Sequence, residues 1–460
     1  MGAIITLSLL AILVLYLGIF KLRNALLPVS LLGLLAALVF ELSIWKEGAE
    51  PMFNGMVLFD KFSLAFSILI IFITGLILLL SKGYFDKISA NIAEYYALII
   101  FSLTGALLVV SFHNLSMLFI GIEIMSVALY ILAGIRKKDL ASNEASLKYF
   151  LMGAFSTGFL LFGIALLYGA SASFDLTEIK NYITTNADQL PAMFYAGILL
   201  LIVGLAFKVG AAPFHFWTPD VYDGSPILIT TFMSTVVKTA AFAGFLRLFI
   251  TCFDQVQSFW VPILLVMIII TLFIGNISAL VQLSFKRMLA YSSISHAGYM
   301  LFAILNMGVQ ASGAMLVYAA AYSIASVSAF AVLIVVKRNR GSEHFEAFNG
   351  LGKVNPLMAF ILTLSMLSLA GIPLTAGFIG KFMMFSEAVS NLHIALVVLA
   401  AVNAAMGIFY YFHVIINMYF REAEINDQIS IDMNYKTVFF IAAVLTVILG
   451  IYPDFLTHLI

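Results

Sequence analysis

The sequence predicts an all-α integral membrane protein of about fourteen transmembrane helices, including two inverted five-helix repeats that each contain a broken helix. Three observations carry this. Of the 460 residues, 63% are hydrophobic and 10% charged, far above the roughly 45–50% apolar content of a soluble domain. Apolar runs of about 20 residues, enough to cross a bilayer as helix, follow one another along the chain. Two runs are too long for one crossing, and each holds a proline where a helix would have to break.

In chain order the runs fall at 2–20, 25–45, 58–80, 92–111, 114–135, 145–169, 192–221, 226–250, 259–282, 287–306, 312–336, 355–391, 393–420 and 435–457. The first resembles a secretory signal in length, but its basic residues, Lys21 and Arg23, follow the apolar stretch, so it reads as a retained span. An even number of spans puts both termini on one side. Loops after alternate spans hold Lys21, Arg23, Lys82, Lys87, Arg136, Lys137, Lys138, Lys286, Arg287, Lys337, Arg338, Arg340, Lys353, Arg421 and Lys436. The opposite loops and span ends hold only Lys46, Lys61, Lys180 and Arg247. Cationic short loops stay cytoplasmic, so both termini are expected outside. Trp45, Trp217 and Trp260 fall near span ends, where interfacial tryptophans sit.

The run 192–221 would extend about 45 Å as one helix and 355–391 about 55 Å, against a hydrocarbon core near 30 Å. Pro213 cannot donate to the Val209 carbonyl, nor Pro373 to that of Leu369. Such breaks at membrane depth are tolerated where they face protein or water, and paired breaks in two halves point to an inverted-repeat transporter. The division that follows is a three-helix segment 1–91, a first repeat 92–250, a second repeat 259–420, and a C-terminal loop and last helix 421–460.

Four lysines lie inside spans: Lys148, Lys208, Lys238 and Lys381. A charge in the bilayer core costs about 3 kcal/mol or more, so such residues face a cavity or pathway, bond to helix carbonyls, or snorkel to the interface. Lys148, near a span end, suits snorkelling; Lys208 and Lys381 adjoin the breaks. Amines withdrawn from water can exchange a proton near neutrality, which arginine cannot. Glu123, midway along its span, calls for a proton or a cation from another helix, either as a structural ion pair or as a group tuning a lysine. The stretch from Tyr291 to Tyr299 aligns Ser292 with His296 and Ser295 with Tyr299 in two helical rows. His296 can relay protons or simply join two helices by a hydrogen bond. His215, Asp220, Tyr222 and Asp223 border the first break as inlet or as solvated loop residues, and Tyr410, Tyr411 and His413 suggest an outlet.

Equal numbers of basic and acidic residues, 23 each, offer no stripe for nucleic acid. The single cysteine, Cys252, excludes disulfides, iron–sulfur ligation and a cysteine zinc site within the chain. Gly350-Leu-Gly352 lacks the third glycine and strand context of a nucleotide loop, and the seven histidines have no metal or haem spacing. Energy for transport must come from an ion gradient or a partner.

Gly204–Pro226 (GLAFKVGAAPFHFWTPDVYDGSP), Ser284–Leu301 (SFKRMLAYSSISHAGYML) and Gly371–Phe382 (GIPLTAGFIGKF), with Glu123 and Lys238, resemble the antiporter-like, Mrp-related membrane subunits of respiratory complex I along nearly the whole chain. The N-type branch fits best: the chain ends soon after its last span, unlike the L type, and position 381 is lysine where the M type carries glutamate. The resemblance implies a proton-translocating subunit of a bacterial inner-membrane NADH:quinone oxidoreductase, with both termini periplasmic and each repeat a proton half-channel. It implies that Glu123 pairs with and tunes Lys208, that Lys238 is the central relay, that Lys381 passes protons outward, and that Lys148 and His296 are secondary relays. No cofactor is expected in this chain; NADH, FMN, iron–sulfur clusters and quinone belong to partner subunits. Expected neighbours are the M- and K-type subunits and the bilayer, and no nucleic acid. The alternatives are a subunit of an Mrp-type cation/proton antiporter and a purely structural spacer.

Overall fold

The computed structural model describes every residue except 46–50, 90, 187–188, 308, 392, 423–428, 458 and 460; the expectation for Lys46 lies outside the described residues. The chain opens with α1 (Gly2–Ile19), α2 (Arg23–Ser43), a small antiparallel hairpin of β1 (Pro51–Met52) and β2 (Val57–Leu58), and α3 (Lys61–Leu80). The first half continues through α4 (Ala93–Ser111), α5 (Leu115–Ala133), α6 (Leu140–Ser171), a short surface helix α7 (Leu176–Thr185), α8 (Ala192–Val209) and α9 (Trp217–Gly224). It closes with α10 (Ile227–Phe232), which runs through a π-helical turn, Met233–Val237, into α11 (Lys238–Cys252). The second half comprises α12 (Gln257–Leu280), α13 (Phe285–Asn306), α14 (Val309–Arg340), α15 (Leu351–Val354), α16 (Pro356–Ala370), α17 (Ala376–Ser390) and α18 (Ile394–Phe420). Two final helices follow, α19 (Met433–Ile451) and α20 (Asp454–Thr457).

Thirteen of the described helical stretches are long and apolar enough to cross a membrane. The fourteenth expected crossing is the broken pair α16 and α17, each only 15 residues long. The central apolar stretches of the 227–252 span and of α14 are buried throughout and that of α13 nearly so. These three form the axis of the bundle, with α1, α2, α6 and α18 keeping broad apolar faces outward.

The two halves repeat one device. In the first, Leu115 N donates to Phe174 O and Leu176 N to His113 O, tying the start of α5 to the chain leaving α6. In the second, Phe285 N donates to Glu343 O and Phe345 N to Leu283 O, tying the start of α13 to the chain leaving α14. Asn114 and Ser284 cap the tied helices. The first tie adjoins the hairpin, through His113 N to Met56 O. The second adjoins Lys337, which with Arg136 and Lys138 lines the basic end of the bundle, where α5 finishes. The ties therefore sit at opposite ends, as inversion requires.

Both breaks occur where expected, but glycine makes them. α8 stops at Gly210 and α16 at Gly371, each left-handed with φ 71° and 84°. Ala211 N donates to Ala206 O and Ile372 N to Leu367 O, the bonds of a glycine-terminated helix end. Pro213 and Pro373 come two to three residues later and only prevent resumption. Trp217 and Trp260 are not belt residues: both are buried, donating through Nε1 to Phe207 O and Phe253 O. An indole with its one donor satisfied internally has no need of the interface.

A side chain at Gly371 would face a left-handed φ, and its Cβ would come 2.9 Å from Lys381 Cδ. Gly371→Ala should therefore lower stability by about 1–2 kcal/mol, read as an earlier melt of the assembled protein in detergent; an unchanged melting point would contradict this account of the break.

Candidate functional site

Lys208 lies in the last turn of α8, where a helix's free carbonyls favour a cation. It is 6% exposed and donates to Ser126 Oγ on α5, while Ser126 in turn donates to Ile122 O. Its amine also lies 5.9 Å from the centre of the Tyr149 ring, which stacks on Trp217. Glu123, one turn from Ser126, is half-buried, and its Oε1 has no hydrogen-bond partner. Among the described residues no ion pair joins Glu123 to Lys208; the serine stands where the resemblance led us to expect the carboxylate.

Lys238 begins α11 directly after the π-turn, a helical irregularity often found at functional sites. At 2% exposure it donates to Ser293 O at 2.7 Å and to Ser293 Oγ. The preceding residue on α13, Ser292, hydrogen-bonds the Tyr411 hydroxyl of α18. That hydroxyl lies 3.0 Å from His296 Nε2, and His296 Nδ1 lies 2.7 Å from the Tyr318 hydroxyl of α14. One imidazole is thus held from both sides by phenols on two further helices. The second row behaves differently: Ser295 donates back to Ser292 O, and the Tyr299 hydroxyl has no hydrogen-bond partner among the described residues.

Lys381, on α17 and 7% exposed, reaches across the second break and donates to Leu369 O and Ala370 O, both at 2.9 Å. These are carbonyls that the end of α16 leaves free. Its amine is 5.0 Å from the centre of the Tyr299 ring. A void of about 10 Å³, lined by His296, Tyr318, Tyr322 and Leu369, lies between this amine's carbonyl and the imidazole. That is room for about one water.

Lys148 stands apart. Its side chain is 40% exposed and pairs with Glu144 at 2.6 Å and Asp220 at 2.7 Å. Asp220 also binds Arg287, which reaches Asp223 at 3.3 Å, so these residues form one partly solvated charge network at the first break. His215 and Tyr222 are buried rather than solvated, and His215 Nδ1 lacks a hydrogen-bond partner among the described residues. Tyr410 is buried and donates to Asn276 Oδ1, whereas His413 is exposed against Phe345. Cys252 is free and fully buried. Lys286 was counted as a loop charge, yet it is 1% exposed and donates to Asp223 O and Ser225 O at 2.6 Å. Its place at a span boundary hid it. Glu41, buried with both oxygens unpartnered among the described residues, was also missed, because one acid near a span end looks like a cap.

The family model described as NADH:quinone oxidoreductase/Mrp antiporter, TM, matches residues 112–407. The NADH-quinone oxidoreductase subunit N of Flavobacterium psychrophilum is 42% identical, over all of both chains. A chain of respiratory complex I from Thermus thermophilus with bound aureothin superposes with TM-score 0.84 at 32% identity, covering 99% of this chain and 98% of that one. A chain of the Mrp complex from Dietzia sp. superposes at 0.87 with 18% identity, covering 100% and 95%, which is a likeness of fold.

A double-mutant cycle tests the imidazole cluster. Because Tyr411 bonds His296 directly, Tyr411→Phe and His296→Phe should be non-additive in stability by about 0.5–3 kcal/mol; additive melting shifts would mean the two groups do not touch.

Proposed function

Since the chain belongs to the NADH:quinone oxidoreductase/Mrp antiporter family of multi-pass membrane subunits, we propose that it moves protons outward as the N-type antiporter-like subunit of a NADH:quinone oxidoreductase. The observation that carries this is the set of three amines, Lys208, Lys238 and Lys381, withdrawn from water between two helix breaks and held by hydroxyls and carbonyls. In this reading Glu123 sets the charge balance of Lys208, Lys238 is the central relay, and His296 with Tyr318 and Tyr411 connects it toward Lys381. The small void beside Leu369 supplies the water that completes this last connection. Lys148 acts at the solvated mouth, holding Asp220 with Arg287, and is peripheral to the relay.

The functional division follows the breaks: 1–91 as a supporting three-helix segment, 92–250 and 259–420 as half-channels, and 421–460 as a closing helix. Quinone reduction by partner subunits drives the movement, and NADH, FMN, iron–sulfur clusters and quinone are held there. M- and K-type subunits are the proposed neighbours. In the same reading the chain spans a bacterial inner membrane with both termini periplasmic. That orientation is supported by the clustering of Lys87, Arg136, Lys137, Lys138, Lys337 and Arg338 at one end of the bundle. It gains further support because Lys180 and Arg247, at the other end, are neutralised by Asp254 and Asp60. The Mrp-type alternative shares the architecture, but full-length identity to N-type relatives favours the redox-driven complex.

In the assembled complex, Lys208→Ala and Lys381→Ala should each lower quinone-linked proton translocation severalfold, measured as internal acidification of inverted vesicles. Lys148→Ala should lower it less. Normal proton yield in both buried-lysine variants, with assembly intact, would sink the relay assignment.

A further inference from the structure

The basic end of the bundle holds a cleft of about 920 Å³ that the proton path does not use. It opens where the chain leaving α3 meets the α5–α6 turn, the end of α14 and the start of α19, and its rim carries Lys87, Arg136, Lys137, Lys138, Lys337 and Arg338. Three of these are already engaged: Arg136 with Asp139 at 3.9 Å, Lys337 with Glu343, and Arg338 with Asp432 at 3.0 Å. Lys87, Lys137 and Lys138 have no ion-pair partner among the described residues, and Glu94, also on the rim, offsets one of them. Below the rim the walls become apolar, with Leu98 and Ile334 lying one to two turns inside their helices and Ile131 two residues from the end of α5.

The cleft is also continuous with the outer surface of the bundle. Ile120, Ile124, Val127 and Ile131 form an exposed row along α5 at helical spacing, and the last of them, 54% exposed, is part of the cleft wall. A cationic rim at headgroup level, apolar walls beneath it and an apolar track running down the span together match an amphiphile with a negative head and a hydrocarbon tail. We propose that this cleft is a binding site for an anionic glycerophospholipid. Its phosphate sits among Lys87, Lys137 and Lys138, and an acyl chain lies along the Ile120–Ile131 row. An acidic protein segment would satisfy the rim but leave the apolar depth unused.

The test uses the whole complex in phosphatidylcholine nanodiscs containing phosphatidylglycerol with a diazirine in its acyl chain, with adducts mapped by peptide mass spectrometry. Irradiation should label α5 and the cleft walls. The variant K87Q/K137Q/K138Q should lose about tenfold of that labelling, since each surface cation contributes about a factor of five to anionic-lipid attraction and screening reduces the product. K87R/K137R/K138R should keep it, which separates loss of charge from loss of fold. Leu98→Trp, which fills the apolar depth and leaves the rim intact, should also reduce it. The proposal is overturned if the glutamine variant labels like the parent, or if the same diazirine on phosphatidylcholine labels the cleft equally. It is likewise overturned if excess inorganic phosphate abolishes labelling, which would make the rim a site for small anions, or if cross-linking in lipid-free detergent finds a protein segment in the cleft. Labelling does not depend on proton transport, so its outcome is independent of the relay assignment.

Discussion

Polar groups removed from water must find partners inside the protein, and two of the described buried amines, Lys286 and Lys381, find theirs where regular backbone pairing stops. A helix end leaves its last carbonyls without intrahelical donors. Lys381 takes two such carbonyls at the end of α16, and Lys286 takes two at the end of α9. The breaks are therefore more than gaps in a crossing. They supply the acceptors that make a buried amine tolerable, and the amine in turn satisfies groups that would otherwise destabilise the break. Gly371 serves both sides of this exchange: its left-handed turn ends the helix, and its missing Cβ leaves the space that Lys381 fills.

The partners differ in what they permit. Hydroxyls donate as well as accept, so Ser126 beside Lys208 and Ser293 beside Lys238 can serve an amine in either protonation state. Carbonyls only accept, so Lys381 must donate to both of its own. α13 gathers these settings on one helix: Ser293 meets Lys238, Ser292 and His296 meet Tyr411, and the Tyr299 ring meets Lys381. This helix and the 227–252 span are almost wholly buried, which keeps the cluster dry apart from a one-water void.

Much of this was legible in the residue order. Apolar runs placed the crossings to within a few residues, and their excess length located both interruptions. Lysines inside apolar runs announced themselves because few other residues there are charged. What stayed hidden depended on the third dimension. Proline drew attention away from Gly210 and Gly371, because a missing donor can be read from one residue whereas a left-handed φ cannot. The π-turn before Lys238 leaves no compositional trace. Lys286 looked like a loop cation because it stands at the first turn of its helix, and only the fold of α9 over it shows it is enclosed. Lys148 lies in an apolar run near a span end, where snorkelling was expected, and it faces Glu144 and Asp220 at the surface.

Arg247 of α11, 5% exposed, has its carboxylate partner in Asp60, the residue that also caps α3. Phe62 covers the guanidinium from the same helix, 5.0 Å from its ring centre. The opening three helices thus provide the counter-charge for an arginine they do not contain. A chain trimmed to begin at α4 would strand that cation in an apolar wall, at about 3–5 kcal/mol for a buried charge deprived of its mate. Any shortened relative of this fold would have to replace Arg247 with a neutral side chain.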